Sequence, residues 1–122
     1  MLNFRKLVKS FRYAIAGLLY SFRFNQNIKI HILAAIFAVL AGLFLKLTRY
    51  EMLGVGFLIV LVISAEMINT SIEEVINLLV NEHRLEAKIA KDVSAGMVLL
   101  VAIFAAIVGV FIYLPHILSL FK

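Results

Sequence analysis

The sequence contains no cysteine and few charged residues. Without cysteine, neither a disulfide framework nor a thiolate metal site can form. Only 16% of the 122 residues are charged, whereas 64% are hydrophobic, and the mean hydropathy is +1.06. A soluble domain of this size cannot bury so much apolar surface in one core. The composition therefore predicts a single integral membrane domain over residues 1–122.

Two further features are missing, a phosphate-binding glycine-rich loop and a secretory signal. No Walker-type loop occurs, so any nucleotide would have to be held by side chains on helices. The first thirty residues lack a continuous apolar stretch and a cleavage site, so we expect no signal peptide there. The net charge of +5 suits anionic lipid headgroups and membrane topology. We therefore expect no nucleic-acid partner.

The N-terminal segment, about residues 3–25, predicts an amphipathic helix that lies on the membrane surface. Apolar residues recur on one side at helical spacing, and basic residues lie on the other side, namely Arg5, Lys6, Lys9 and Arg12. The alternative that this helix is only a membrane anchor stays open.

Three membrane-spanning helices are expected after this segment. They are predicted over about residues 28–47, 50–79 and 93–114, and Pro115 is expected to end the third. About 20 residues cross the hydrocarbon of a bilayer, so the first two spans need their polar ends at the interface. The predicted fold class is an all-α integral membrane protein with three transmembrane helices plus an N-terminal amphipathic surface helix.

The distribution of lysine and arginine predicts the orientation. Nine of these residues precede the first span or lie between the second and third, and three lie on the opposite side. Positively charged connections stay in the cytoplasm. We therefore expect a multi-pass protein whose N-terminus and second connection are cytoplasmic.

A polar stripe marks the cytoplasmic half of the second span. Four residues fall within about 80° of one another on a helix, namely Glu66, Asn69, Glu73 and Asn77. Ionisable residues inside a membrane helix indicate function. The deeper Glu66 is a candidate base, and the shallower Glu73 is a candidate ligand for a hard cation such as Mg²⁺. The alternative is a stripe that only bonds neighbouring helices.

The connection after the second span is basic. Arg84, Lys88 and Lys91 recur at helical spacing, and Asp92 follows. Such groups beside carboxylates can hold a polyphosphate and its metal. They are equally explained as the positive flanks of any membrane protein.

Two motifs resemble a known family. The stretches E-x-x-N-T-S-I-E at 66–73 and A-K-D-V-S-A-G at 90–96 resemble the prokaryotic diacylglycerol kinase and undecaprenol kinase family. The likeness covers essentially the whole chain: SFRYAIAGLLYSF at 10–22, NIKIH at 27–31 and IYLPHIL at 112–118 are similar to the family's surface helix, first span and last turn. These details favour the Gram-positive-like branch, which generally phosphorylates undecaprenol.

The resemblance implies a homotrimeric lipid kinase of the bacterial plasma membrane. Such an enzyme transfers the γ-phosphoryl group of ATP to a lipid alcohol, undecaprenol or diacylglycerol, with Mg²⁺. By the resemblance, Glu66 is the catalytic base, Asn69 orders the site and Glu73 binds the metal beside the nucleotide. The remaining nucleotide-binding positions that it implies are Lys6, Glu82, His83, Arg84, Lys91 and Asp92.

Two asparagines depart from the family pattern. Asn25 stands where an acidic metal ligand is usual, and Asn77 stands where an aspartate is common. Asparagine offers a carbonyl oxygen without a charge, so Asn25 is predicted as a weaker metal ligand. A catalytically weak homologue that acts as a scaffold therefore stays an alternative. A small proton-coupled transporter is another, although it leaves Asn69, Glu73 and the basic surface helix unexplained.

Overall fold

The computed structural model describes residues 1–122 as four α-helices. Helix α1 is Phe4–Phe24, α2 is Gln26–Phe44, α3 is Arg49–Leu79 and α4 is Leu85–Ser119. Helices α2, α3 and α4 are long and apolar enough to cross a membrane. The structure confirms the all-α class, with three candidate spans and a separate N-terminal helix.

A single residue separates α1 from α2. Asn25 has extended backbone angles and both ends α1 and caps α2, where its side chain accepts the Ile28 N–H at 3.2 Å. Asparagine is among the residues preferred at such caps, because its oxygen satisfies a free backbone N–H. Ser21 is the only buried residue of α1. Helix α1 therefore packs on the chain near its C-terminal end and leaves its apolar side free for a membrane surface.

The turn between α2 and α3 is tight. Lys46 has φ 57°, and Thr48 and Glu51 form a capping box that starts α3. A Cβ on Gly42 would lie 2.7 Å from the sulfur of Met52, so the Met52 side chain would have to shift to admit a larger residue there. This turn brings the start of α3 back along α2.

Helix α3 contacts both α2 and α4. Its buried apolar residues are Val55, Leu58, Val62 and Ala65, and the neighbouring helices contribute Ile28 and Val98. Many other large apolar side chains on the three long helices are exposed. Because a chain in water rarely exposes so much apolar surface, this surface fits contact with lipid or with other subunits.

The last helix is longer than the sequence predicts. Helix α4 begins at Leu85, before the predicted span, and Pro115 lies inside it. The prediction that Pro115 ends the helix is wrong. Proline removes one backbone donor and crowds the preceding turn, but here only one further turn follows before the helix ends at Ser119. The first turns of α4 are polar, and they extend the helix beyond its apolar stretch toward the connection at residues 80–84.

Candidate functional site

Glu66 lies at the centre of a polar cluster where α3 meets the junction of α1 and α2. The residue is 2% exposed. Its Oε1 accepts hydrogen bonds from the side-chain amides of Asn25 at 3.3 Å and Asn27 at 3.2 Å. A buried carboxylate needs hydrogen-bond donors or a cation to offset the loss of water, and here neutral amides supply the donors.

Thr70 completes this cluster one turn along α3. Its hydroxyl donates to the Glu66 backbone carbonyl at 2.9 Å and accepts from the Asn25 amide. Because Asn25 lies between the first two helices, its contacts with α3 fix the position of that junction beside Glu66.

Asn69 connects the stripe to α4. It is 4% exposed; its Oδ1 accepts from the Ser94 hydroxyl, and its Nδ2 donates to Glu73 Oε1 at 3.2 Å. Both polar atoms of the amide are therefore occupied. Asn69 orients Glu73 from a position that packing against α4 has already fixed.

A cavity of about 260 Å³ opens beside these residues. It contains three carboxylates and no lysine or arginine, and its lining is Tyr20, Phe24, Asn25, Gln26, Asn27, Glu66, Thr70, Glu73 and Glu74. The only salt bridges of the chain lie elsewhere, between Lys88 and Asp92 and between His116 and Glu51. Within one chain, therefore, no lysine or arginine in the cavity lining neutralises its carboxylates.

A second cavity, of about 610 Å³, lies at the connection between α3 and α4. Lys91 donates to Asn77 Oδ1 at 2.5 Å across this connection, and Lys88 pairs with Asp92 at 2.5 Å. The other charged side chains that line it are Glu82, His83 and Arg84. The cavity combines cations with acceptors, which suits a polyphosphate better than an apolar ligand.

The chain brings most of the predicted site residues into two neighbouring groups. Asn25 hydrogen-bonds Glu66, Asn69 hydrogen-bonds Glu73, and both carboxylates line the acidic cavity. The five predicted residues of the connection line the second cavity, namely Glu82, His83, Arg84, Lys91 and Asp92.

Lys6 is not brought to either group. It lies in the first turn of α1 and is exposed. It is about 22 Å along the helix from Ser21, the one residue of α1 that is buried.

Three residues of the cluster were not singled out from the sequence. Asn27, Thr70 and Ser94 each hydrogen-bond a predicted site residue or its backbone. All three lie inside the motifs that carry the family resemblance. Their position in those motifs was the available signal.

The oxygen donors of the acidic cavity are of the kind that Mg²⁺ accepts. No group of three or more His, Asp or Glu side chains is arranged to hold a metal. Mg²⁺ nevertheless commonly binds through one or two carboxylates together with phosphate oxygens and water. Glu73 lines the cavity without a cationic partner, so this donor set fits.

Comparison with known proteins now identifies the family. The family model for prokaryotic diacylglycerol kinase matches residues 12–113. The chain belongs to the prokaryotic diacylglycerol kinase family. This finding confirms the family expected from the motifs.

Two relatives of this kinase family are similar over most of the chain. A diacylglycerol kinase of Synechocystis sp. is 42% identical in an alignment of 116 residues that covers 93% of this chain and 66% of that protein. An undecaprenol kinase of Bacillus subtilis is 34% identical over 110 residues, which are 90% of this chain and 89% of that protein. The chain thus spans just under two thirds of the first relative. Both names denote lipid kinases, in agreement with the predicted enzyme class.

Proposed function

We propose that this member of the prokaryotic diacylglycerol kinase family transfers the γ-phosphoryl group of ATP to a membrane lipid alcohol. The observation that supports it most is the buried Glu66 carboxylate, which lines a polar cavity beside the second half of a helix that is able to cross a membrane. A carboxylate at that depth can meet a hydroxyl at the interface while the lipid tail stays in the hydrocarbon.

In this proposal Glu66 is the general base. Its carboxylate accepts the proton of the lipid hydroxyl as the hydroxyl oxygen forms a bond to the γ-phosphorus. The bond between that phosphorus and the bridging oxygen breaks, and ADP leaves with the electron pair. Asn69 keeps Glu73 in place through its amide. Phosphoryl transfer depends mainly on such positioning and on charge neutralisation.

The phosphate side of the reaction is assigned to Glu73 and to the connection between α3 and α4. Bound Mg²⁺ would neutralise charge on the phosphates, and Glu73 would hold it. Lys91 and Arg84 would contact the phosphates, and the other residues proposed for the nucleotide are Glu82, His83 and Asp92. The mixed charges around the second cavity support this assignment. That Asn25 is also a metal ligand stays a prediction. Its side-chain oxygen already accepts the Ile28 backbone N–H.

The proposed reaction takes place at the cytoplasmic face of the bacterial plasma membrane. The excess of lysine and arginine at the N-terminus and in the second connection supports this orientation. ATP reaches the site from that side. A cytoplasmic N-terminus places α1 on the same surface as the acidic cavity.

We also propose a homotrimer, as the family resemblance implies. Extensive apolar surface on the long helices is compatible with contacts between subunits. Lys6 does not reach the site of its own chain, so in this proposal it acts on the phosphates of a neighbouring subunit. Undecaprenol and diacylglycerol are both proposed as substrates, since one relative is named a diacylglycerol kinase and the other an undecaprenol kinase.

The experiment is a phosphorylation assay with the purified protein, labelled ATP, Mg²⁺ and either lipid. We expect labelled phosphate on the lipid and a loss of at least about 100-fold in kcat for Glu66→Gln, the scale of general-base catalysis. Glu86→Gln is the matched control, because Glu86 is exposed in the first turn of α4 and makes no side-chain hydrogen bond.

Equal activity in Glu66→Gln would remove Glu66 from the role of base. Absence of phosphorylated lipid with wild-type protein would favour the alternatives. Proton-coupled transport without ATP turnover would indicate the transporter, and neither activity would indicate the scaffold.

A further inference from the structure

Asn25 uses both ends of its side-chain amide. Its Oδ1 caps α2, whereas its Nδ2 points into the cluster and donates to Glu66 Oε1 at 3.3 Å and to Thr70 Oγ1. We propose that Asn25 is a positioning residue that holds the Glu66 carboxylate for the reaction. This inference rests on the proposed function, in which Glu66 is the base.

A second asparagine cap shows that the Asn25 contact with Glu66 is not a by-product of capping. Asn3 caps α1 in the same way, and its Oδ1 accepts the Lys6 N–H at 3.2 Å. The Asn3 side-chain nitrogen donates to no protein group. Capping therefore requires only the oxygen, and the inward donation by Asn25 is an additional interaction.

The two amides act on one oxygen of the carboxylate. Asn25 and Asn27 both donate to Oε1 of Glu66. Oε2 makes no hydrogen bond within the chain. It is not fully buried either, since every fully buried side-chain nitrogen or oxygen has a partner. One oxygen is thus held from the junction of α1 and α2, and the other is left to accept a proton from a substrate hydroxyl in the cavity.

Holding Glu66 and binding metal are distinct roles for Asn25. The amide nitrogen that contacts Glu66 cannot coordinate a cation, because ligands for Mg²⁺ are oxygens. The oxygen that could do so accepts the Ile28 N–H. Substitutions that keep the cap but change the amide nitrogen therefore separate the two roles.

Asn25→Ser is the first test, with Asn3→Ser as the matched control. Serine caps helices about as well as asparagine, but it has no amide to reach Glu66. We expect kcat to fall at least about tenfold for Asn25→Ser, equivalent to about 1.4 kcal/mol in the barrier. The KM for ATP should stay close to that of the control, whose activity should equal that of the wild type. The thermal midpoint should fall modestly, because the buried Glu66 carboxylate keeps only the Asn27 donor.

Asn25→Asp is the second test, because aspartate keeps the cap while replacing the donor with a carboxylate. We expect kcat to stay low at every Mg²⁺ concentration. Wild-type or higher kcat at a lower Mg²⁺ requirement would overturn the inference and make residue 25 a metal ligand.

Two outcomes separate this inference from the proposed function. An active wild type with unchanged kcat in Asn25→Ser would overturn the positioning role alone, whether or not the thermal midpoint falls. A wild-type protein that phosphorylates no lipid would overturn the proposed function, and the positioning role with it.

Discussion

Replacing Ser94 with alanine tests the hydrogen bond that joins α4 to the polar stripe. Ser94 Oγ donates to Asn69 Oδ1, and the two residues are 5% and 4% exposed. Alanine removes the donor and leaves a buried amide oxygen without a partner, which costs about 1 to 3 kcal/mol. We expect Ser94→Ala to lower the free energy of unfolding by about 2 kcal/mol.

The same substitution should reduce kinase activity. Asn69 is held by Ser94 on one side and donates to Glu73 at 3.2 Å on the other, so loss of the first contact loosens the second. Far-UV circular dichroism during heating in detergent micelles measures the stability, and turnover of labelled ATP measures the activity. Ser64→Ala is the control, because Ser64 is exposed on α3 and makes no side-chain hydrogen bond.

A double variant tests the assigned cause. Replacing both polar partners, as in Ser94→Ala with Asn69→Leu, removes the unpaired oxygen and should recover much of the stability without recovering activity. Wild-type stability in Ser94→Ala would refute the reasoning. So would a double variant that is less stable than the single one.

Two further substitutions test the outer end of the helices. Gly42→Ala should be about 1 kcal/mol less stable to unfolding than Gly17→Ala, because the Gly42 Cβ would lie 2.7 Å from the Met52 sulfur while both variants gain the same helix propensity. Gly17→Ala, where no atom lies within 4 Å, is the control, and equal melting of the two variants would contradict the prediction. His116→Gln removes the 2.9 Å contact between His116 Nε2 and Glu51 Oε2 and should lower the thermal midpoint slightly. His116→Gln should leave lipid phosphorylation unchanged, since Glu51 lies about 22 Å along α3 from Glu66. A loss of activity in this variant would contradict the prediction.

The polar stripe was predictable because buried ionisable groups are costly. Glu66 and Glu73 interrupt an apolar stretch, and such residues persist in membrane helices where they have partners or a function. Helical periodicity then places them with Asn69 on one face. In the structure Glu66 and Glu73 line the same cavity, and Asn69 hydrogen-bonds Glu73.

The partners of the stripe were harder to predict. Asn27 and Ser94 contact residues 39 and 25 positions away, and such contacts depend on how the helices pack. Asparagine, serine and threonine also commonly bond their own backbone at caps and within helices, so their presence alone does not indicate a tertiary contact.

The C-terminal end of α4 was mispredicted because the effect of a proline depends on its position in the helix. Proline is a strong signal against a helix interior, yet near a terminus few backbone bonds remain to be lost. Pro115 therefore lies within the last turns of α4, and the helix ends at Ser119. The position of Lys6 illustrates another limit, since α1 extends away from the site and its reach depends on neighbouring molecules.

The shortest span sets the bilayer thickness that suits this protein. Helix α2 has 19 residues, against 31 in α3 and 35 in α4. At that length it extends about 28 Å, close to the roughly 30 Å of hydrocarbon in a typical bilayer. The longer helices can tilt or project into water, but a thicker bilayer would draw the residue 25 end of α2 toward the acyl chains. Hydrophobic mismatch would thus act first on the end of α2 that touches Glu66.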